Sequence, residues 1–74
     1  MAERYRFLSV VLDKPDGPHA LVLECEDGRW WMYYYASEKE IQAAQPFRDL
    51  ETAQNHAFVE LGVRREDWIE ESNH

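Results

Sequence analysis

Hydrophobic and polar residues alternate with a period of two through three stretches of this chain, then give way to the longer period of a helix. Arg4 to Leu12 is rich in Tyr, Phe, Val and Leu, residues that fit a pleated surface, and predicts a first strand. Asp13-Lys14-Pro15-Asp16-Gly17-Pro18 then stops any regular element, because proline and glycine dominate it. His19 to Glu26 predicts a second strand and Arg29 to Ala36 a third. Between them, Asp27-Gly28 is a dipeptide that tolerates the two positive φ angles of a type I′ turn.

A two-residue turn fixes the hairpin register. Glu26 falls opposite Arg29, and the pairing continues through Cys25–Trp30, Glu24–Trp31, Leu23–Met32, Val22–Tyr33, Leu21–Tyr34 and Ala20–Tyr35. Side chains alternate between the faces of a strand. One face therefore carries Leu21, Leu23, Cys25, Trp30, Met32 and Tyr34. The other carries Ala20, Val22, Glu24, Glu26, Arg29, Trp31, Tyr33 and Tyr35. Pairing the first strand through its loop puts Leu12 near His19. That adds Leu8, Val10 and Leu12 to the first face, and Tyr5, Phe7, Ser9 and Val11 to the second.

Beyond the hairpin, Ser37-Glu38-Lys39-Glu40 has the capping-box pattern and predicts a short extra helix within residues 38–45, stopped by Pro46. Ile41 is its only sizeable apolar residue, so a loop is the alternative. The main helix begins at Asp49, which caps it, and ends at Gly62. Leu50, Ala53, Ala57, Phe58 and Leu61 form its apolar stripe, with Val63 re-entering the core. Arg64 to Glu71 is polar apart from Trp68 and Ile69 and predicts a turn or short strand pinned by Trp68, with Ser72-Asn73-His74 frayed. The whole is a single α+β domain over residues 1–74, a three-stranded antiparallel meander with a C-terminal helix packed on the Leu8, Leu21, Leu23, Met32 face.

Composition changes the picture in two places. The chain has 74 residues and a formal net charge of −7, a field that repels phosphate backbones and anionic lipid and favours basic partners or plain solubility. It has one cysteine, Cys25, so no internal disulfide is available. The beginning Met-Ala-Glu-Arg-Tyr-Arg lacks the apolar core of a signal peptide, and no apolar run approaches the roughly 20 residues that span a bilayer. The expectation is a cytoplasmic protein that binds neither nucleic acid nor membrane.

Half of the ten aromatic residues lie between Arg29 and Ala36. With the helix on the first face, the second face presents Tyr5, Phe7, Trp31, Tyr33 and Tyr35. Either Trp68 with Ile69, or the 38–45 segment, folds over it, or it is an interface for another protein or for a second copy of the chain. Aromatic patches of this kind mark interaction sites, and Trp and Tyr dominate binding hot spots. Aromatic sheets also serve single-stranded RNA, but such platforms need basic surroundings, and Glu24 and Glu26 share this face.

A second candidate interface is the acidic run Glu66, Asp67, Trp68, Glu70 and Glu71. Acids there would steer a basic surface towards an aromatic anchor. The plain alternative is a solvated end on which Trp68 closes the core. His19, His56, His74 and Cys25 show no metal-ligand spacing, Cys25 has no nucleophile signature, and the carboxylates show no cleft arrangement. No catalytic, cofactor-binding or metal residue is assigned.

The run Phe47-Arg48-Asp49-Leu50-Glu51-Thr52-Ala53, then Ala57, Leu61-Gly62-Val63 and Asp67-Trp68, resembles the C-terminal half of small acidic bacterial proteins, toxin-immunity-like and β-hairpin-plus-helix domains among them. It covers roughly residues 47–71. The resemblance implies a bacterial or phage-like, non-enzymatic protein that acts by binding another protein. The expected function is a small acidic interaction module, an inhibitor or immunity-type protein that occludes a protein target with a basic surface. The alternative is a homodimer joined through the aromatic sheet face.

Overall fold

A computed structural model describes residues 5–12 and 17–73. It is an α+β domain with five strands rather than three: β1 (Tyr5–Val11), β2 (Ala20–Glu26), β3 (Arg29–Tyr35), β4 (Ile41–Phe47) and β5 (Ile69–Asn73), with one α-helix, α1 (Leu50–Leu61), between β4 and β5. The strands form a single antiparallel sheet in the order β4-β3-β2-β1-β5.

The β2–β3 hairpin has the expected register along its whole length, from Glu26 opposite Arg29 to Ala20 opposite Tyr35. Asp27 and Gly28 take the positive φ angles, 53° and 77°, that a type I′ turn requires. The β1–β2 register is also as expected: the Leu12 N–H donates to the His19 carbonyl at 2.8 Å. Residues 13–16 of the connecting loop lie outside the described residues.

The segment expected to form a short helix is β4 instead. Tyr35 pairs with Ile41 and Tyr34 with Ala43, leaving Gln42 as the extra residue of a bulge, and the ladder then runs to Trp30 opposite Phe47. The capping box does not form. The Ala36 N–H donates to the Glu40 carbonyl at 2.8 Å, and the turn feeds a strand. A helix here would have buried only Ile41, whereas pairing satisfies the backbone of β3 along its other side. The end of the chain also differs from expectation: Ser72 and Asn73 belong to β5, paired with Arg6 and Tyr5.

Helix α1 is bounded as the sequence predicts. The Asp49 carboxylate accepts from the Thr52 N–H at 2.7 Å, and Gly62 ends the helix at φ 73°, its N–H donating to Phe58. Ala53 and Ala57 are fully buried against the sheet, and Leu50 and Leu61 pack beside them. Phe58, assigned to the same stripe, is 55% exposed. At about 100° of rotation per residue it lies roughly a quarter turn round from Ala57 and clears the sheet. The core is Leu8, Val10, Leu21, Leu23, Trp30, Met32, Ala53, Ala57, Val63 and Trp68. Every sheet residue in it comes from the face expected to receive the helix.

Candidate functional site: the open sheet face

The opposite face is formed by the alternate residues of all five strands, and the ladder registers arrange them in rows. One row runs Phe7, Glu24, Trp31, Pro46. The next runs Ile69, Ser9, Val22, Tyr33, Ala44, and a third Val11, Ala20, Tyr35, Ile41. Phe7, Val22, Trp31, Tyr33 and Tyr35 are half-buried, and Val11, Ala44, Pro46 and Ile69 are exposed. None of these residues belongs to the core. The helix lies on the other side, and among the described residues no element covers this face.

Of the residues singled out in the sequence, Trp31, Tyr33, Tyr35 and Phe7 thus share one surface. Tyr5 pairs through its backbone with Asn73, and Glu71 with Phe7; the side chains of Tyr5 and Glu71 lie outside the described residues. The additions are Pro46 and Ala44 from β4 and Ile69 from β5, which widen the face at both edges. Ile69 alternates with Trp68 in a way that foretells opposite faces, but nothing in the local pattern reveals β4.

The acidic segment divides between two elements. Glu66 and Asp67 are exposed in a single 3₁₀ turn (Arg65–Asp67), where the Asp67 carboxylate accepts from the Arg64 N–H at 2.9 Å. Glu70 lies opposite Leu8 on the edge strand β5. Trp68, the expected aromatic anchor between them, is 7% exposed and closes the core beside Val63 and Ala57. It is therefore unavailable as a surface anchor. Its indole Nε1 is buried without a hydrogen-bond partner among the described residues, a desolvation cost that burial of the large ring offsets.

The electrostatics of the open face are acidic. Burial, and after it the charges of Glu24, Glu26 and Tyr35, hold the Tyr33 phenol above its ordinary pKa. Tyr34, one residue on and therefore on the helix side, is also raised, by burial and then by Glu60. Its hydroxyl donates to Gln45 Oε1 at 3.1 Å. The two tyrosines thus sense the acids of two different faces.

Elsewhere the surface hollows are open and shallow. One, between the end of α1 and the following turn, holds about 390 Å³ beside Phe58, Arg64 and Arg65. Arg65 sits 3.5 Å from the Glu51 carboxylate, with both side chains largely exposed. Cys25 packs partly against the core, and among the described residues no three metal-ligating side chains converge. His56 stacks obliquely on Phe47, with ring centroids 5.3 Å apart. Among the described residues no helix is long and apolar enough to cross a membrane. Compared with family models, curated proteins and solved structures, the chain matches none.

Proposed function

We propose that this chain is a small acidic protein-interaction module that uses its open sheet face to bind and occlude a protein with a basic surface, in the manner of an inhibitor or immunity-type protein. The observation that carries the reading is the juxtaposition of Trp31, Tyr33 and Tyr35 with Glu24 and Glu26 on a face that the helix leaves uncovered. Five strands roughly 4.8 Å apart and about 20 Å long make a platform broad enough for a protein footprint. Large, rigid aromatic rings bury much area at little entropy cost, so they anchor. The carboxylates among them, together with the net charge of −7, steer a basic partner and oppose an acidic one. Face-to-face pairing of two copies is the weaker reading, because it would press Glu24 and Glu26 of one copy towards those of the other. No catalytic role is part of the proposal.

The test is capture from a cell extract with the wild-type chain and with Trp31→Ala and Tyr33→Glu variants. The expected result is a basic protein retained by the wild type, released by salt, and lost with either variant. Identical capture by all three chains would overturn the reading.

A further inference from the structure

The two edges of the sheet differ in how they are protected. Unpaired strand edges invite another strand, and natural proteins guard them with charge, proline or bulges. At one edge, β5 carries Glu70 and Glu71 within five residues. At the other, β4 reads Ile-Gln-Ala-Ala-Gln-Pro-Phe and is the one strand of the described sheet without an ionisable residue. Ile41 to Pro46 are all exposed.

The outward backbone groups of β4 follow from the ladder. The residues flanking a two-residue turn exchange both hydrogen bonds, and the partners alternate from there. Arg29, Trp31 and Tyr33 therefore turn their backbones to β2, and Trp30, Met32 and Tyr34 turn theirs to β4. The bond from Ala36 to Glu40 continues that alternation. Phe47, Gln45 and Ala43 spend their backbone groups on β3, while Ala44 and Pro46 direct theirs away from the sheet. Pro46, with no N–H, sits where no donor is needed by β3. Ala44 is left as the outward-facing donor and acceptor between Pro46 and the bulge at Gln42.

We propose that this edge pairs with the same edge of a second copy of the chain, antiparallel and centred on Ala44. A two-fold axis through the edge sets Ala44 against its own counterpart, where the two residues exchange a pair of hydrogen bonds. Antiparallel symmetry brings the 38–40 turn of one copy, with Glu38 and Glu40, beside Arg48 of the other, and does so twice. The uncharged strand is the one sheet edge on which two strongly acidic chains can approach without opposing carboxylates. Pro46 and the bulge keep the pairing short, so the dimer is reversible, and the exposed Glu70 guards the other edge, β5, against further growth of the sheet. Because the axis stands perpendicular to the sheet, the two open aromatic faces lie side by side on one surface. This association is independent of the reading proposed above, which needs only the open face of one copy.

The test is sedimentation of the full chain over a dilution series at low salt, for the wild type and for Ala44→Pro, Ala44→Lys, Arg48→Glu and Trp31→Ala. The wild type is expected to move from the mass of one copy to that of two as concentration rises. Ala44→Pro removes the outward N–H and no hydrogen bond to β3, and is expected to remain at one copy with an unchanged circular dichroism spectrum. Ala44→Lys, which sets two like charges at the axis, gives the same mass by a route that does not depend on proline. Arg48→Glu shifts the transition to higher concentration. Trp31→Ala leaves the transition in place, which separates this edge from the aromatic face. A wild type that stays at one copy throughout, or a dimer that survives both Ala44 variants, or one that Trp31→Ala abolishes, would overturn the proposal.

Discussion

The two faces of the sheet are made by the same strands, residue by alternate residue, yet they have opposite relations to water. On one, Leu21, Leu23 and Met32 are wholly buried under Ala53 and Ala57. On the other, Val22, Trp31 and Tyr33, their immediate neighbours in the chain, remain half-buried with no helix above them. Both faces carry large aromatic side chains, Trp30 and Trp68 on the covered one and Trp31 and Tyr33 on the open one, so hydrophobicity alone does not decide which face is covered. Packing does: two alanines let the helix backbone lie close to a smooth aliphatic surface, and the carboxylates of Glu24 and Glu26 would be desolvated under a helix. One face stores the free energy of folding, and the other leaves apolar area available for association.

The largest effect that separates the faces is expected in the core. Leu23→Ala should cost about 2–5 kcal/mol, comparable with the whole stability of about 5 kcal/mol at the lower end for small domains. Urea unfolding followed by circular dichroism would show the variant largely unfolded without denaturant. On the open face, Trp31→Ala should cost at most about 1 kcal/mol of stability. It should weaken partner binding by about 2 kcal/mol or more, roughly thirtyfold. Equal losses of stability from the two substitutions would erase the distinction.

A finer probe is alkaline titration of the tyrosines by absorbance. Glu24→Gln should lower the Tyr33 pKa towards its ordinary value and leave Tyr34 in place, and Glu60→Gln should do the reverse. The sign for stability follows. Both phenols hold their protons more tightly in the fold, so their contribution is complete below the unfolded value of about 10. It is lost as pH rises through the folded values, because the unfolded chain ionises first.

The smallest effect belongs to the end of the helix that covers only one face. Hydrogen bonds from Thr52, side chain first and backbone next, hold the Asp49 carboxyl below its ordinary pKa. Its contribution is present above the unfolded carboxylate value of about 3.9 and is lost as pH falls through the folded one. Asp49→Ala should lower the melting temperature slightly at neutral pH, and the difference from wild type should vanish in acid.

The hairpin was legible from sequence because a two-residue turn is a local device: once Asp27-Gly28 is recognised, every partner from Ala20–Tyr35 to Glu26–Arg29 follows. Helix α1 was equally legible from Asp49 and Gly62, which act within one turn of themselves. β4 was not. Gln42, Ala43, Ala44 and Gln45 favour helix by intrinsic propensity, and an edge strand with almost no buried side chain shows no alternation to contradict them. Pairing with Tyr34 and Met32 decides it, and that is a tertiary fact. The same holds for Trp68: adjacency to Ile69 puts the two on opposite faces of any strand, but which of them meets the core is decided only by β5 lying beside β1. Of the candidate site, the β3 aromatics and Phe7 were placed correctly on one face. The acidic run is split between a turn and an edge strand, and Trp68, its aromatic anchor in the sequence pattern, is taken up by the core.

The strand order carries a consequence for how the molecule assembles in time. β1 lies between β2 and β5, so Tyr5 meets Asn73 across nearly the whole length of the described chain. The β2–β3 hairpin closes over two residues, a microsecond event, whereas docking β5 must close the longest loop in the molecule. β5 is therefore expected to add last and to detach first, and Trp68, just before it, becomes an intrinsic fluorophore for that step. Brief detachment of this one strand would uncover β1 without disturbing the hairpin, making the acidic edge the molecule's point of local opening.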